Sequence, residues 1–410
     1  FTKTSIISHK MIRINKYKLS PKDIQKGIPT SLIILMSISA GISVANIYYN
    51  QPILMDIASD FKTSESQAGL ISMLSQIGYG LGLFFITPLG DKFNKKSLII
   101  GLQALLFIAL TFIFFTTTIA QVWLLSIFIS LFSVSVQVIM PMTAGMSTIN
   151  RGKNVGTIFT GVLIGILSAR VFSGAIADLL GWRYVYLISA VAVGISTLLL
   201  FIYLPNSKSS FSGNYPQLLG SAISQFRKLK FLRHLSYIGM LQFGLFCSFW
   251  TTLTFHLSNN PFNYSSSKIG LLGIVAIAGA LIAPYMGKTA DKEGATKVRL
   301  SAISLTIISI TIMFFFQNSI AAIILGTFLL DIGAQSLQVT NTALLYKFDE
   351  SLHSRINTIY MTLFFTGGAL GTFIGIMLWE WGGWNFVMSQ MFCFSIIILF
   401  LLRKEKNRNS

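Results

Sequence analysis

The sequence predicts an all-α polytopic membrane protein, with twelve transmembrane helices in two pseudo-symmetric six-helix bundles. Three observations predict it. Of the 410 residues 53% are hydrophobic and 11% charged, with a mean hydropathy of +0.69, whereas soluble chains carry roughly a quarter charged residues. The apolar residues run in stretches of about twenty, the length a helix needs to cross a hydrocarbon core roughly 30 Å thick. The second half of the chain restates the first in register. A membrane β-barrel is excluded, because its strands would alternate polar and apolar residues in segments of about ten.

In chain order the apolar runs place helices at 28–50, 66–88, 97–117, 120–147, 154–177 and 183–205, then at 234–257, 267–287, 296–317, 319–345, 355–379 and 384–402. Ahead of the first lies a tail, 1–27, with seven Lys/Arg and no apolar core, so no cleavable signal is expected. The sequence opens at Phe1 rather than at an initiator Met. Between the sixth and seventh runs lies one long polar segment, 206–233, rich in Ser, Asn and Gly at its start and basic at Arg227, Lys228, Lys230 and Arg233. It reads as a linker between bundles at 28–205 and 234–402, and residues 403–410 form a second tail.

Charge sets the orientation. All but four of the 31 Lys and Arg fall in the two tails, the linker and the loops that follow even-numbered helices. Lys62, Arg183 and Lys268 lie on the other side, and Arg170 lies inside a helix. Basic loops stay in the cytoplasm, which places both termini and the linker there. The net charge of +18 is thus a topology signal, and nucleic acid is not an expected partner. Cys247 and Cys393 sit inside apolar runs as small hydrophobes. No cluster of His, Cys and carboxylates suggests a metal site, and no Walker-type glycine-lysine loop suggests ATP hydrolysis.

The internal repeat holds at an offset of 200–202. Ser66-Gln67-Ala68-Gly69-Leu70 answers Ser267-Lys268-Ile269-Gly270-Leu271, and Asp91-Lys92 answers Asp291-Lys292. Ser135-Val136-Gln137-Val138 answers Ser336-Leu337-Gln338-Val339, and Asp178-Leu179-Leu180-Gly181-Trp182 answers Glu380-Trp381-Gly382-Gly383-Trp384. Both halves begin on the same side, so the repeat is parallel, about an axis along the membrane normal.

The two Asp-Lys loops carry a family resemblance. The first copy has Leu89, Gly90, Asp91, Lys92, Lys95 and Lys96; the second has Gly287, Ala290, Asp291, Lys292 and Gly294. They resemble the G-x-L-A-D-R-x-G-R-K loop of the major facilitator superfamily, with Thr87 and Asn94 where the first copy would hold glycines. Ala45-Asn46-Ile47-Tyr48-Tyr49-Asn50-Gln51-Pro52 and the span from Asp331 to Gly371 resemble a bacterial exporter branch grouped with drug/proton antiporters. The fifth-helix Gly-Pro pair of better-known drug exporters is absent; Gly161, Gly165, Arg170 and Gly174 stand there instead. The resemblance implies a gate in which Asp91 meets the eleventh helix and Asp291 the fifth. Taken without it, both loops are also what solvated basic turns would be.

Charges inside membrane helices cost several kcal/mol unless paired or hydrated, which makes Asp331 and Arg170 proton-coupling candidates. A structural pair would explain them equally well. Polar residues on helices one, four, seven and ten face the cavity if the fold is of this superfamily: Asn46, Tyr49, Gln51, Gln137, Gln242, Trp250, His256, Gln335, Gln338 and Asn341. Interhelical hydrogen bonding is the alternative role for such residues. The expectation is a monomeric secondary transporter of the bacterial inner membrane, not an enzyme, without cofactor, with protons, a small organic molecule and the bilayer as partners. Efflux by proton antiport leads; proton-coupled import and a non-transporting membrane sensor are the alternatives.

Overall fold

A computed structural model describes residues 28–147, 150–207, 214–277, 285, 294–349 and 352–409. Of the second Asp-Lys loop, Gly287, Ala290, Asp291 and Lys292 lie outside the described residues, as does the tail 1–27.

The spans are α1 Thr30–Ala45, α2 Glu65–Leu81, α3 Lys95–Phe114, α4 Ile119–Met146, α5 Arg151–Leu180 and α6 Trp182–Tyr203, followed by α7 Lys230–Ser258, α8 Ser266–Ile277, α9 Ala295–Phe315 and α10 Ile320–Leu345. The last two, α11 and α12, share His353–Asn409 and separate at Gly382 and Gly383. Among the described residues nine helices are long and apolar enough to cross a membrane; one of these holds both α11 and α12, and α1 and α8 are shorter apolar helices. Together they make the twelve crossings of two six-helix bundles.

Local chemistry sets the ends. Ser64 and Gln67 form a capping box at the start of α2, and Thr118 and Gln121 form one at the start of α4, each satisfying orphan N–H groups at a helix start. Gly181 (φ +100) lets α6 follow α5 without a loop, and Gly383 (φ +62) does the same between α11 and α12; only glycine adopts these angles at no steric cost. The linker contains a helix, Tyr215–Lys228, whose polar face carries Arg227 and Lys228. Tyr215 Oη donates to the Phe85 carbonyl. That carbonyl lies in the π-turn Gly82–Ile86 at the end of α2, where the regular hydrogen-bond ladder is interrupted.

Backbones meet inside each bundle through glycine. A Cβ on Gly165 would overlap the Gly41 carbonyl oxygen, and one on Gly371 would overlap that of Gly244. These contacts join α1 to α5 and α7 to α11, the repeat-related pair, as small residues do where membrane helices pack closely.

The bundles are tied together on the face opposite the linker. Thr254 Oγ1 donates to the Gln51 carbonyl (2.7 Å), and the one Ser266 Oγ proton is shared between the Pro52 carbonyl (2.8 Å) and Asp56 Oδ2 (2.6 Å). Ser267 N donates to Asp178 Oδ2 and Ser267 Oγ to the Gly174 carbonyl. Asn259 Nδ2 and Trp379 Nε1 donate to the two carboxylate oxygens of Glu65.

Candidate functional site

A cavity of about 210 Å³ lies between the bundles, walled by α1, α2, α4 and α5 from one side and by α7, α10 and α11 from the other. On α5 its lining residues are Phe159, Val162, Leu163, Ile166, Leu167 and Arg170, a spacing that holds one helical face. On α10 they are Asp331, Ala334, Gln335 and Gln338, again one face. Exposure along α5 falls from 48% at Phe159, toward the linker face, to 2% at Arg170. The cavity therefore deepens from the linker face toward the tied face.

At its deep end sit the two intramembrane charges. Arg170 Nε donates to Gln51 Oε1 (2.7 Å). The guanidinium carbon lies 4.0 Å from the centre of the Trp250 ring and 5.4 Å from that of Tyr48, so aromatic faces stabilise a cation that water does not reach. Arg170 Nη2 has no partner. Asp331 is 1% exposed, and its Oδ2 has no partner either. The two feel each other's charge across the cavity, yet the ion pairs among the described residues are Arg183–Asp60 and Arg299–Glu405, with His234 Nε2 hydrogen-bonded to Glu405. Arg170 and Asp331 share a site without touching.

The other expected residues divide. Gln137, Gln242, Gln335 and Gln338 line the cavity. Gln137 donates to Tyr79 Oη (3.1 Å), Gln338 accepts from Tyr360 Oη (3.2 Å), and Gln242 Nε2 donates to the Ala334 carbonyl (3.1 Å). Gln51 and Trp250 stand behind Arg170 and orient it. Four candidates face elsewhere. Asn46 binds the Ile42 carbonyl and accepts from Ser189, inside the first bundle. Tyr49 packs on Phe172. His256 bonds the Gln317 carbonyl and stacks on Trp384 at the tied face. Asn341 accepts from Arg299. Each of the four has its contacts within its own bundle, although Asn341 Nδ2 has no partner.

Residues that polarity could not single out complete the site: Tyr48, Tyr79, Phe243, Phe246, Phe364 and Phe365 line the same cavity, with Phe243 stacked on Phe364 at 4.0 Å between ring centres. Tyr48 lies within the Ala45–Pro52 stretch, which was the available signal; the phenylalanines are ordinary core residues by sequence. Arg299 was also missed. Counted with the loop cations, it is in fact fully buried in α9 and paired with Glu405 and Asn341.

On the linker face, Leu89–Lys92 forms a short helical turn. Gly90 packs against Val138, and the Asp91 carboxyl feels the charge of Lys95 and lies beside the Ser354 hydroxyl at the start of α11. Lys96 lies 5.7 Å from the ring centre of Phe201. Leu89 and Lys92 are the ends of this turn, Lys95 begins α3, and Gly294 (φ +95) precedes α9 in the second bundle.

Comparison with known proteins agrees with this architecture. The model of the Major Facilitator Superfamily matches residues 35–281 and 258–410. The chain is 39% identical over 355 residues to the "Uncharacterized transporter YgaY" of Escherichia coli O157:H7, spanning 86% of this chain and 90% of that protein. Its fold resembles that of the nucleoside transporter NupG (TM-score 0.72, 15% identity, 91% of this chain and 99% of that one). It also resembles a bacterial homologue of the human lysosomal transporter Spinster (TM-score 0.74, 12% identity, 91% and 95%). With the family model covering nearly every span and a close relative covered over most of its length, the chain belongs to the major facilitator superfamily of membrane transporters.

Proposed function

We propose that this transporter exports a small organic molecule in exchange for protons, by alternating access, with Asp331 as the proton carrier. In this reading the membrane is the bacterial inner membrane, and the linker and both tails lie in the cytoplasm, where the basic loops belong. The tied face is then the outer one. Asp91, beside Ser354 of the other bundle, belongs to the inner gate on the linker face, and the matching Asp291 loop serves the other side of that gate.

The observation that carries the reading is the unpartnered Asp331 Oδ2 in a buried cavity between the moving bundles. An intramembrane carboxylate without a contact partner is costly, and a proton is the smallest species that cancels its charge. A site that changes sides with the cavity can load that proton outside and release it inside. Arg170, held by Gln51 and the aromatic rings, stays charged and fixes the field that Asp331 feels.

The test is reconstitution in proteoliposomes, screening metabolites, siderophores and drugs for substrate-induced proton movement, with Asp331→Asn alongside. The parent should accumulate substrate against its gradient when protons flow the opposite way. Asp331→Asn should lose that accumulation by more than about tenfold, about 1.4 kcal/mol or more, while counterflow exchange at saturating substrate persists. A variant that couples as well as the parent removes Asp331 from this role. Accumulation in the same direction as proton flow would instead make the protein an importer.

A further inference from the structure

We propose that the central cavity takes a small zwitterion with an apolar body, of the amino-acid type, its carboxylate on Arg170 and its ammonium on Asp331. This rests on the transport reading above and names the substrate class of that same site.

Two opposite charges that line the cavity without pairing with each other set the chemistry, and unmatched buried polar atoms surround them. Arg170 Nη2 and, behind it, Trp250 Nε1 are donors without acceptors. Asp331 Oδ2 and Gln242 Oε1 are acceptors without donors. All four belong to residues that are at most 5% exposed, and a buried polar atom left unmatched is destabilising. A carboxylate brings acceptors only, and an ammonium brings three donors and no acceptor. One molecule carrying both offers a counter-ion to each of the two charges that line the cavity.

Charge discriminates further. A simple cation would pair with Asp331 and leave Arg170 beside it without a counter-ion; a simple anion would do the reverse. A singly charged ligand of this size therefore neutralises one charge and leaves the other without a counter-ion at the same moment. A zwitterion bridges both charges that the protein holds apart.

Size and walls define the rest of the molecule. A volume of about 210 Å³ equals roughly seven water volumes and falls below the roughly 300–1,000 Å³ of sites for drug-sized ligands. The walls away from the charges are the rings of Tyr79, Phe243, Phe246, Phe364 and Phe365, which suit an aliphatic or aromatic body. Exchange with protons follows from the same geometry. The ligand's ammonium and a proton neutralise the same carboxylate, so each leaves as the other arrives.

The test measures equilibrium binding to the full chain in nanodiscs, at one pH and without any gradient. The probes are L-leucine and L-phenylalanine, their carboxamides, which lack the carboxylate, and their N-acetyl forms, which lack the ammonium. At least one free amino acid should bind about tenfold or more tightly than both of its blocked forms. Arg170→Gln should erase the preference over the carboxamide, and Asp331→Asn the preference over the N-acetyl form. Comparing analogues on the unaltered protein keeps the test decisive if either variant fails to fold. Equal binding of a blocked form, or no binding of either amino acid, overturns the proposal. A carboxamide that binds and crosses against protons would overturn the zwitterion while leaving exchange intact. A free amino acid that binds yet crosses without proton movement would do the opposite.

Discussion

The two bundles share a plan but hold themselves together by different chemistry. In the first, α1, α3 and α6 are joined by neutral side chains: Gln103 Nε2 donates to Ser43 Oγ (3.3 Å), Thr197 Oγ1 to Gln103 Oε1 (3.3 Å), and Ser189 Oγ to Asn46 Oδ1 (2.8 Å). In the second, Arg299 of α9 and His234 of α7 converge on Glu405 of α12. The glycine contacts, by contrast, recur at repeat-related places in both. Close backbone approach is what the fold requires of each half, whereas the polar glue was free to diverge. The cavity follows the same division: the first bundle supplies its cation and the second its anion.

Breaking the shared feature should do the most damage. Gly371→Val places methyl groups where the Gly244 backbone lies, and Gly165→Val does so against Gly41. Neither variant should yield monodisperse protein on size-exclusion chromatography, and one that did would show that the helix pairs can separate.

The unshared feature gives the next effect. Arg299→Met leaves Glu405 facing His234 alone and should cost about 3–5 kcal/mol, the toll for stranding one member of a buried ion pair. Arg299→Met with Glu405→Leu should recover most of it. Gln103→Leu, in the buried neutral network of the first bundle, should cost about 1–3 kcal/mol, the penalty for unsatisfied buried polar groups. Denaturation midpoints in one detergent would rank the three; equal losses for Arg299→Met and Gln103→Leu would erase the contrast.

The smallest effect concerns the tie between bundles. Burial raises the Asp56 carboxyl above the ordinary carboxylate range, against the lowering effect of its bond from Ser266. Opening the tied face hydrates this group and returns it toward its ordinary value, so the closed form binds the proton more tightly. Acidifying that side from neutrality should therefore favour closure. Spin-label distances across the face would follow it, and Asp56→Asn should flatten the dependence. A pH response unchanged in Asp56→Asn would assign it to other groups.

Much of this was legible in the sequence, for identifiable reasons. Apolar runs of membrane length and the repeated Asp-Lys loops pointed to twelve crossings, since a hydrocarbon solvent leaves helices little choice. Arg170 and Asp331 stood out because charge is rare inside spans. What stayed hidden depends on helix rotation. Asn46 and Gln51 sit five residues apart in one stretch, yet Asn46 turns to Ser189 and Gln51 to Arg170. Only packing decides that. Arg299 was hidden by its position at a helix start, where a topology count assigns it to the loop, and its partner Glu405 lies 106 residues away.

The seven hydrogen bonds between bundles on the tied face have a further consequence. Most end on backbone carbonyls or on a shared carboxylate, and each contributes about 0.5–1.5 kcal/mol net. Their total is of the same order as the roughly 8.2 kcal/mol with which a micromolar ligand binds. Such a seam holds at rest and still yields to a cargo that prefers the opposite arrangement. It can come undone stitch by stitch, so no single bond sets the barrier to turnover.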